Sequence, residues 1–513
     1  MVFSPDRMKT MNSGRMQDVK IAAEGLESVA DYVSLSRRFE EETVYTYNTT
    51  TKLYNITNRN TRGSKIYGGK GLTSKWGSSL TTNYDELKKD IDLVVDGVSK
   101  DASGANHHQE KYHKILPWEG KKDYSFVAKR KPEEYEKQIR EKLQEVANAV
   151  AAENPGLELA FAYSVGKHQR KFDDSSENHF DEKKILSSVM AKAKYTTRIG
   201  EGPTRQTIIT EGYDAVSDTK GAELLFDNAE RVAKRAAKRA VENSKAKEMP
   251  QNTDRILMGG QLTGVFIHEM VGHGAEADIV MEGSPMGKLY KKKVAIDAVT
   301  IKDVPISEYG RGNMRFDDEG TPCREVSIIN NGVVSDFMTD RATTVQMQKK
   351  GYDVTPSGNG RSETHSVSIM PRMRNTVMNP GEKTHEELVK ELDNGLYVIG
   401  TSGGSVYRNG DFTLNTSLAY WVENGEIKFP VKTSSIKGNT VNVLGHILDV
   451  GNAATNDSFA GYCGKNWQYV PVSAIGPEVL VDSLGVSKYA EPIDYWMVKG
   501  RGNRKTKLKL DRI

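Results

Sequence analysis

The sequence has little cysteine, no long apolar run and almost no net charge. Its 513 residues include two cysteines, Cys323 and Cys463, which are too few for a disulfide framework. No stretch approaches the ~18 consecutive apolar residues of a membrane-spanning helix. Residues 1–20 lack the apolar core of a secretory signal. We therefore expect a cytoplasmic protein that does not span a membrane.

The charges nearly cancel, because 72 Lys and Arg stand against 69 Asp and Glu, a net charge of +3. This balance excludes the strong positive field of a dedicated nucleic-acid binder. The last thirteen residues, 501–513, carry six basic groups and one acid, so this tail contributes +5 and the remaining 500 residues −2. We read the tail as an edge strand with a solvated basic face, although a binding patch is the alternative.

At roughly 100–200 residues per domain, the length favours two large domains. We expect an α+β fold with three parts: a flexible leader over residues 1–20, an N-terminal domain of mixed sheet and helices over 21–248, and a strand-rich C-terminal domain over 249–513. The polar segment at residues 245–252 marks the boundary. A helix that carries two histidines, described below, belongs to the second domain.

Apolar spacing predicts helices over residues 21–39, from Pro132 to the stop at 154–156, and over 221–244. In the second half, Asn-Gly pairs at residues 331–332 and 424–425 predict β-hairpins, because both positions of such a turn need positive φ.

One apolar segment carries two histidines and a glutamate. Residues 262–278 read Leu-Thr-Gly-Val-Phe-Ile-His-Glu-Met-Val-Gly-His-Gly-Ala-Glu-Ala-Asp. The spacing H-E-x-x-x-H is one residue longer than the zinc-peptidase motif H-E-x-x-H. On a regular α-helix, five residues place the two imidazoles about 140° apart, too far round to share an ion. We therefore predict a π-type widening of the helix between His268 and His273. We expect Gly272 and Gly274 to lower the free-energy cost of this distortion.

A catalytic zinc takes three protein ligands and leaves one position open. The residues themselves leave the third ligand undecided among Cys463, Cys323, His365, His446 and Glu276. Cys463 stands between two glycines, in what we expect to be a tight turn, and a thiolate suits zinc. The alternative for Cys463 is a small buried apolar side chain. For Cys323 we favour a structural or incidental role.

Six segments of the second half match a known family in the same order: residues 268–278, 316–322, 331–341, 357–361, 370–376 and 461–465. Through them the chain resembles the TldD/PmbA family, and within it the TldD-like branch that carries the metal motif. The resemblance covers residues 262–485, while the N-terminal half is similar only in its layout of strands and helices. The usual Gly-Leu-Glu-Gly-Asp after the second histidine reads Gly-Ala-Glu-Ala-Asp here.

The resemblance implies a zinc-dependent metallopeptidase that hydrolyses small or unfolded peptides. It implies that His268, His273 and Cys463 bind the metal and that Glu269 is the general base. It also implies a dimer whose internal cavity holds the active sites. The partner would be an identical chain, giving a homodimer, or a PmbA-like chain without the metal motif, giving a heterodimer.

Five further residues complete the predicted site. Glu276 and Asp278 are expected to accept hydrogen bonds from the outer nitrogens of the histidines. Arg341, Arg361 and Arg372 are candidates for binding a peptide carboxylate, with salt bridges as the alternative role.

Two other functions stay open. The chain could be a non-catalytic binding or regulatory subunit, such as a modulator or a peptide-maturation adaptor, or a metal-dependent amidase acting on non-peptide amides. Glu269 favours catalysis, because a protein that only binds has no need of this carboxylate.

Overall fold

The computed structural model describes residues 32–70, 73–79, 122–126, 128–174, 178–200, 205–407, 409–433, 435–482 and 484–487. The predicted leader (1–20) and basic tail (501–513) lie outside the described residues. Among the described residues, no helix is long and apolar enough to cross a membrane. Strands and helices are mixed as an α+β fold requires, which confirms the predicted class.

The N-terminal half is a mostly antiparallel sheet covered by two helices. The strand order is β3-β2-β1-β5-β6-β4, with β7 paired to β6. Helix α2 packs on β6 and β7 through the alanine-rich stripe of its buried face, and these small side chains let the helix approach the sheet closely. The elements are β1 (Tyr32–Asn48), β2 (Tyr54–Lys70), β3 (Thr73–Ser79), β4 (Lys122–Phe126), α1 (Glu136–Glu153), β5 (Leu157–Asp174), β6 (His179–Ile199), β7 (Gln206–Asp218) and α2 (Glu223–Ser244).

The helix predicted over residues 21–39 is wrong where the structure describes it. Residues 32–39 form the first half of β1, which pairs antiparallel with β2 on one edge and β5 on the other. Leu35, opposite Ile66 and Asp173, is 1% exposed. The long strands β2 and β5 pair with the backbone N–H and C=O groups of β1 on both edges. This tertiary pairing overrides a weak local helical pattern. Residues 21–31 lie outside the described part.

The other local predictions are confirmed. The two remaining predicted helices correspond to α1, which follows a 3₁₀ turn beginning at Pro132, and α2. Both Asn-Gly pairs form hairpin turns with positive φ: 45° and 73° at Asn331 and Gly332, and 52° and 70° at Asn424 and Gly425.

The C-terminal half holds two larger sheets and one short pair, β12-β13. One sheet has the order β11-β10-β9-β14-β21-β20, and the other β19-β22-β8-β15-β16-β18-β23, with β17 paired to β16. The elements are β8 (Ile256–Met258), α3 (Gly260–Ile267), α4 (Ala277–Met281), α5 (Pro285–Lys288), β9 (Ile301–Val304), β10 (Val326–Asn330), β11 (Val333–Val334), α6 (Arg341–Lys349), β12 (Gly360–Arg361), β13 (Met370–Pro371), β14 (Asn375–Met378), α7 (His385–Leu392), β15 (Gly395–Val406), β16 (Asp411–Glu423), β17 (Glu426–Val431), β18 (Ser435–Asn439), α8 (Thr440–Leu444), β19 (Ile447–Val450), β20 (Asp457–Lys465), β21 (Gln468–Gly476), β22 (Val479–Val481) and β23 (Gly485–Ser487).

Buried apolar side chains form one large cluster within residues 45–240 and another within 249–484. Ion pairs join the two halves: Asp318 lies 2.9 Å from Arg170 and 2.7 Å from Arg38, both in the N-terminal sheet. The division into domains at residue 248 stays a prediction.

Candidate metal centre

Helix α3 lies between the two C-terminal sheets, in contact with β15 on one side and with β20 and β21 on the other. All eight of its residues are buried. Two glycines bring its backbone against β21, since a Cβ at Gly260 would lie 2.5 Å from the carbonyl oxygen of Gly476, and one at Gly264 2.7 Å from that of Ala474. The end of α3 is thereby held beside the β20–β21 hairpin.

The predicted widening of this helix is present. Residues His268–Gly272 form a π-helical turn, in which the N–H of His273 donates to the carbonyl of His268, five residues back. The two imidazole ring centroids are 5.2 Å apart. The i→i+5 spacing therefore brings both rings to one face, as the extra residue in the motif requires.

Gly272 serves the turn for a different reason than predicted. Its φ of −60° and ψ of −60° are open to any L-residue, so backbone freedom is not what requires a glycine. A Cβ at this position would instead lie 2.0 Å from the Sδ of Met373, which is fully buried. Gly272 leaves room for the packing of Met373 against the turn.

Cys463 meets the two histidines from the β20–β21 hairpin. Its Sγ lies 3.3 Å from His273 Nε2, and one ligand atom from each of His268, His273 and Cys463 lies within 4.8 Å of the others. The glycine neighbours of Cys463 predict a tight turn, and this prediction is wrong. Cys463 belongs to strand β20, and the turn follows at Asn466 and Trp467.

Three of the other candidate third ligands, Cys323, His365 and His446, lie elsewhere, and His365 packs against Gly63 of β2. Cys323 Sγ donates to the carbonyl of Gly358 at 3.1 Å, and burial raises the pKa of this thiol to about 12. His446 Nδ1 lies 2.7 Å from a carboxylate oxygen of Asp482 at the surface. Across the described residues, the His268–His273–Cys463 group is the cluster with the geometry of a metal site.

The electrostatics of the group favour a cation. Burial opposes a thiolate at Cys463, but His273 and His268 hold the pKa of the thiol well below its usual value. Burial likewise opposes a charged His273, but Cys463 and Glu276 raise the pKa of its imidazole well above the usual value. In addition, Nδ1 of His268 is buried and has no hydrogen-bond partner among the described residues. Two imidazoles and a thiolate are zinc-type donors, so the residues present fit a bound metal ion.

Glu276 and Asp278 occupy the predicted neighbourhood of the histidines. Glu276 is 0% exposed, and its Oε2 lies 3.0 Å from His273 Nδ1. Asp278 does not contact a histidine among the hydrogen bonds of the described residues. Its Oδ1 accepts from the ammonium of Lys465 at 2.7 Å. Sequence reasoning missed Lys465, whose position two residues after Cys463 places both on one face of β20.

Glu269 is half-buried beside the group and contributes no atom to it. Burial raises the pKa of its carboxyl, against the opposing effect of His273 and His268. A Cβ on Gly404 of β15 would lie 3.2 Å from Glu269 Cγ, so the glycine leaves space for this side chain.

The three arginines are buried. Arg372 is 0% exposed and donates to the carbonyl oxygens of Cys463 and Gln468 in the hairpin. Arg361, 4% exposed, donates to the carbonyls of Met373 and Pro471. Arg341 is 2% exposed at the start of α6. Their contact with a peptide carboxylate stays a prediction, and their burial favours a structural role.

Known proteins are similar to this chain in sequence and in fold. The family model described as the PmbA/TldA metallopeptidase C-terminal domain matches residues 251–488. A Saccharolobus solfataricus protein named zinc metalloprotease TldD homolog is 30% identical over 350 residues, which cover 68% of this chain and 75% of that protein. The chain belongs to the TldD/PmbA family. The metalloprotease TldD homolog of Buchnera aphidicola (strain Sg) is 36% identical over 255 residues, 49% of this chain and 52% of that protein.

Solved structures show the same fold for this TldD/PmbA-family chain. A Thermotoga maritima protein described as a candidate modulator of a DNA gyrase aligns with a TM-score of 0.66 at 23% identity, covering 92% of this chain and 100% of that one. TldE from Thermococcus kodakarensis has a TM-score of 0.66 at 17% identity, with coverage of 91% and 100%. The match to the Buchnera protein spans about half of that relative's length. Both curated relatives described above are named metalloproteases.

Proposed function

We propose that this chain is a zinc-dependent peptidase that hydrolyses small or unfolded peptides. The observation that carries the proposal is the convergence of His268, His273 and Cys463, which lie up to 195 residues apart in sequence, with ligand atoms within 4.8 Å of one another. Two imidazoles and one thiolate form a three-ligand zinc set of the catalytic kind. The name zinc metalloprotease carried by the S. solfataricus relative supports the same metal.

The chain's own residues supply the acid–base and positioning steps. Zinc, when bound, supplies Lewis acidity that polarises the scissile carbonyl and acidifies the attacking water. Glu269 adjoins His268 but is not a ligand, so its carboxylate is free to accept the water proton and deliver it to the leaving amine. Glu276 accepts from Nδ1 of His273 and so keeps Nε2 directed toward Cys463.

For the assembly, we propose a dimer that encloses the active sites. Its partner is either a second copy of this chain or a PmbA-like chain without the metal motif, and the fold shared with TldE makes such a partner structurally compatible. Light scattering of the chain alone, and after mixing with a PmbA-like chain, distinguishes the two assemblies. A monomer under both conditions would contradict the proposal.

Glu269→Gln tests the catalytic role. The variant should bind one zinc per chain like the parent protein and hydrolyse unfolded casein-like or short peptides about 10²–10⁴-fold more slowly, the usual contribution of a general base. The exposed Glu382→Gln is the matched control and should keep full activity. A folded Glu269→Gln protein with parental activity would refute the peptidase mechanism.

Substrate profiling separates the alternatives. If a peptide library is not cleaved but N-acyl small molecules are, the chain is a metal-dependent amidase on non-peptide amides. If neither is cleaved while Glu269→Gln keeps its biological effect, the chain is a binding or regulatory subunit.

A further inference from the structure

We propose that Lys465 is a positioning residue of the metal centre, which aligns Glu276 and through it the His273 ligand. The inference rests on the proposed zinc site. The Lys465 ammonium is surrounded by three acceptors: Glu276 Oε2 at 3.0 Å, Asp278 Oδ1 at 2.7 Å and the carbonyl of Pro371 at 2.9 Å. Its side chain is 6% exposed. A lysine with all three protons directed at acceptors has a fixed ammonium position.

The contacts run in an unbroken series from Lys465 to the ligand group. The same Glu276 oxygen, Oε2, that accepts from Lys465 lies 3.0 Å from His273 Nδ1. The other oxygen, Oε1, accepts from the backbone N–H of Met373 at 3.3 Å. Nε2 of His273 then faces Cys463 Sγ at 3.3 Å. A proton held on Nδ1 leaves the lone pair on Nε2, so the orientation of the Glu276 carboxylate sets which nitrogen can bind a metal.

The strand geometry explains why this lysine can do so. Residues two apart on a strand share a face, so Cys463 and Lys465 both project from β20 toward the π-turn and the segment that follows it. One face of β20 therefore supplies both the proposed ligand Cys463 and the positioning residue Lys465. The contact of Lys465 with Glu276 fixes the distance between β20 and Glu276, and with it the distance between Cys463 and His273.

The positive charge of Lys465 stabilises the two carboxylates that it contacts. Glu276 is fully buried and Asp278 is 25% exposed at its side chain. Lys465 is the cation that contacts both carboxylates. Without it, the hydrogen bonds left to Glu276 among the described residues are those with His273 and the backbone N–H of Met373, with the charge of Arg372 nearby. Losing a charged partner of a buried carboxylate is costly. We expect the carboxylate to shift and the His273 ring to lose its alignment.

The experiment measures zinc affinity by chelator competition, together with the visible spectrum of the Co²⁺-substituted protein. Lys465→Met should weaken zinc binding about 10–100-fold, the usual effect of losing an outer partner of a metal ligand. It should also change the Co²⁺ ligand-field bands, a readout that a purely structural loss of stability would leave unchanged in the folded protein. Lys465→Arg, which keeps the charge, should recover part of the affinity. The exposed Lys437→Met on β18 is the control and should bind zinc like the parent protein.

A double-mutant cycle tests the route through Glu276. In a Glu276→Gln background, Lys465→Met should cost less than threefold in zinc affinity, because the carboxylate that it orients is gone. Equal losses in both backgrounds would overturn the route, and parental zinc affinity in Lys465→Met would overturn the role of Lys465 altogether. If Lys465→Met fails to fold, Lys465→Arg decides alone: reduced affinity with altered Co²⁺ bands supports the proposal, and an unchanged site overturns it. Since none of these readouts uses peptide hydrolysis, failure of the peptidase proposal would be seen separately, in Glu269→Gln.

Discussion

At the residue scale, the proposed metal centre depends on space as well as on its ligands. Gly272 stands in the π-turn with ordinary helical φ and ψ, and the space that its missing Cβ leaves is taken by the Met373 side chain. Interiors are packed closely enough that one added methyl group at Gly272 forces the Met373 side chain or the turn to shift. Such a shift would act directly between the two histidines.

We expect Gly272→Ala to lower the free energy of unfolding by about 1–3 kcal/mol and to weaken zinc binding, because overpacking displaces the turn. Thermal unfolding and chelator competition measure the two effects. Gly272→Ala combined with Met373→Ala should recover zinc affinity, since the second change makes room. Gly445→Ala is the control, since a Cβ there would meet atoms at ordinary contact distances of 3.6 and 3.9 Å. Parental stability and affinity in Gly272→Ala would show that the turn adapts freely.

A second residue-scale prediction concerns pH. His385 Nδ1 lies 2.8 Å from Glu478 Oε2, and this hydrogen bond to the carboxylate raises the pKa of the imidazole. A raised pKa in the folded state means that the stabilisation is complete below the unfolded-state pKa, near 6.5, and is lost as the pH rises through the folded-state pKa. The melting temperature of the parent protein should therefore exceed that of His385→Gln more at pH 5.5 than at pH 9. Glu478→Gln should abolish this pH dependence, and an equal difference at both pH values would contradict the assignment.

Single residues were predictable where their chemistry was local. The spacing of His268 and His273 required a widened helix, and the structure has one. Cys463 was only one of several possible third ligands until the family resemblance singled it out, because nothing local connects it to residues 190 and more positions earlier. Lys465 was missed for the same reason, since its acceptors Glu276 and Asp278 lie 189 and 187 residues away.

At the scale of elements, the contrast between α2 and β1 shows what local patterns can decide. Helix α2 has a continuous apolar stripe over 22 residues and was predicted nearly to its ends. The segment at residues 32–39 has short apolar spacing that fits a helix, yet its two strand partners decide its structure. Pairing with residues distant in sequence leaves no periodic signal in a strand buried between neighbours.

The β20–β21 hairpin carries an unusual turn. Its central residues Asn466 and Trp467 have φ values of 47° and 64°, and Trp467 is 64% exposed. Turns of this kind favour Asn-Gly, and the left-handed conformation costs other residues about 1–2 kcal/mol. Trp467→Gly should therefore stabilise the protein by about 1 kcal/mol, seen as a higher urea midpoint. Gly425→Trp in the Asn-Gly turn between β16 and β17 is the reverse control and should destabilise by a similar amount. A lower midpoint in Trp467→Gly would mean that contacts of the indole outweigh the strain.

At the scale of the whole molecule, the site exists only because two sheets enclose α3. The histidines extend from the end of this helix, while Cys463 comes from β20 at the edge of one sheet. Close approaches at Gly260 and Gly264 hold the helix against β21, the hydrogen-bonded partner of β20. A metal bound by all three residues would therefore link the helix to the hairpin, adding a cross-link that the unfolded chain does not have.

This cross-link predicts that zinc stabilises the fold. A ligand that binds only the folded state adds about 2.7 kcal/mol at a concentration 100 times its dissociation constant. Chelation of the metal should lower the melting temperature and increase proteolysis within the β20–β21 hairpin, and added zinc should restore both. Cys463→Ser is the control: it removes the ligand that we propose for the hairpin, so its melting temperature should respond to zinc much less than that of the parent protein. If Cys463→Ser keeps the full zinc-dependent increase, the metal is held without the hairpin, and the third ligand must be sought among other residues.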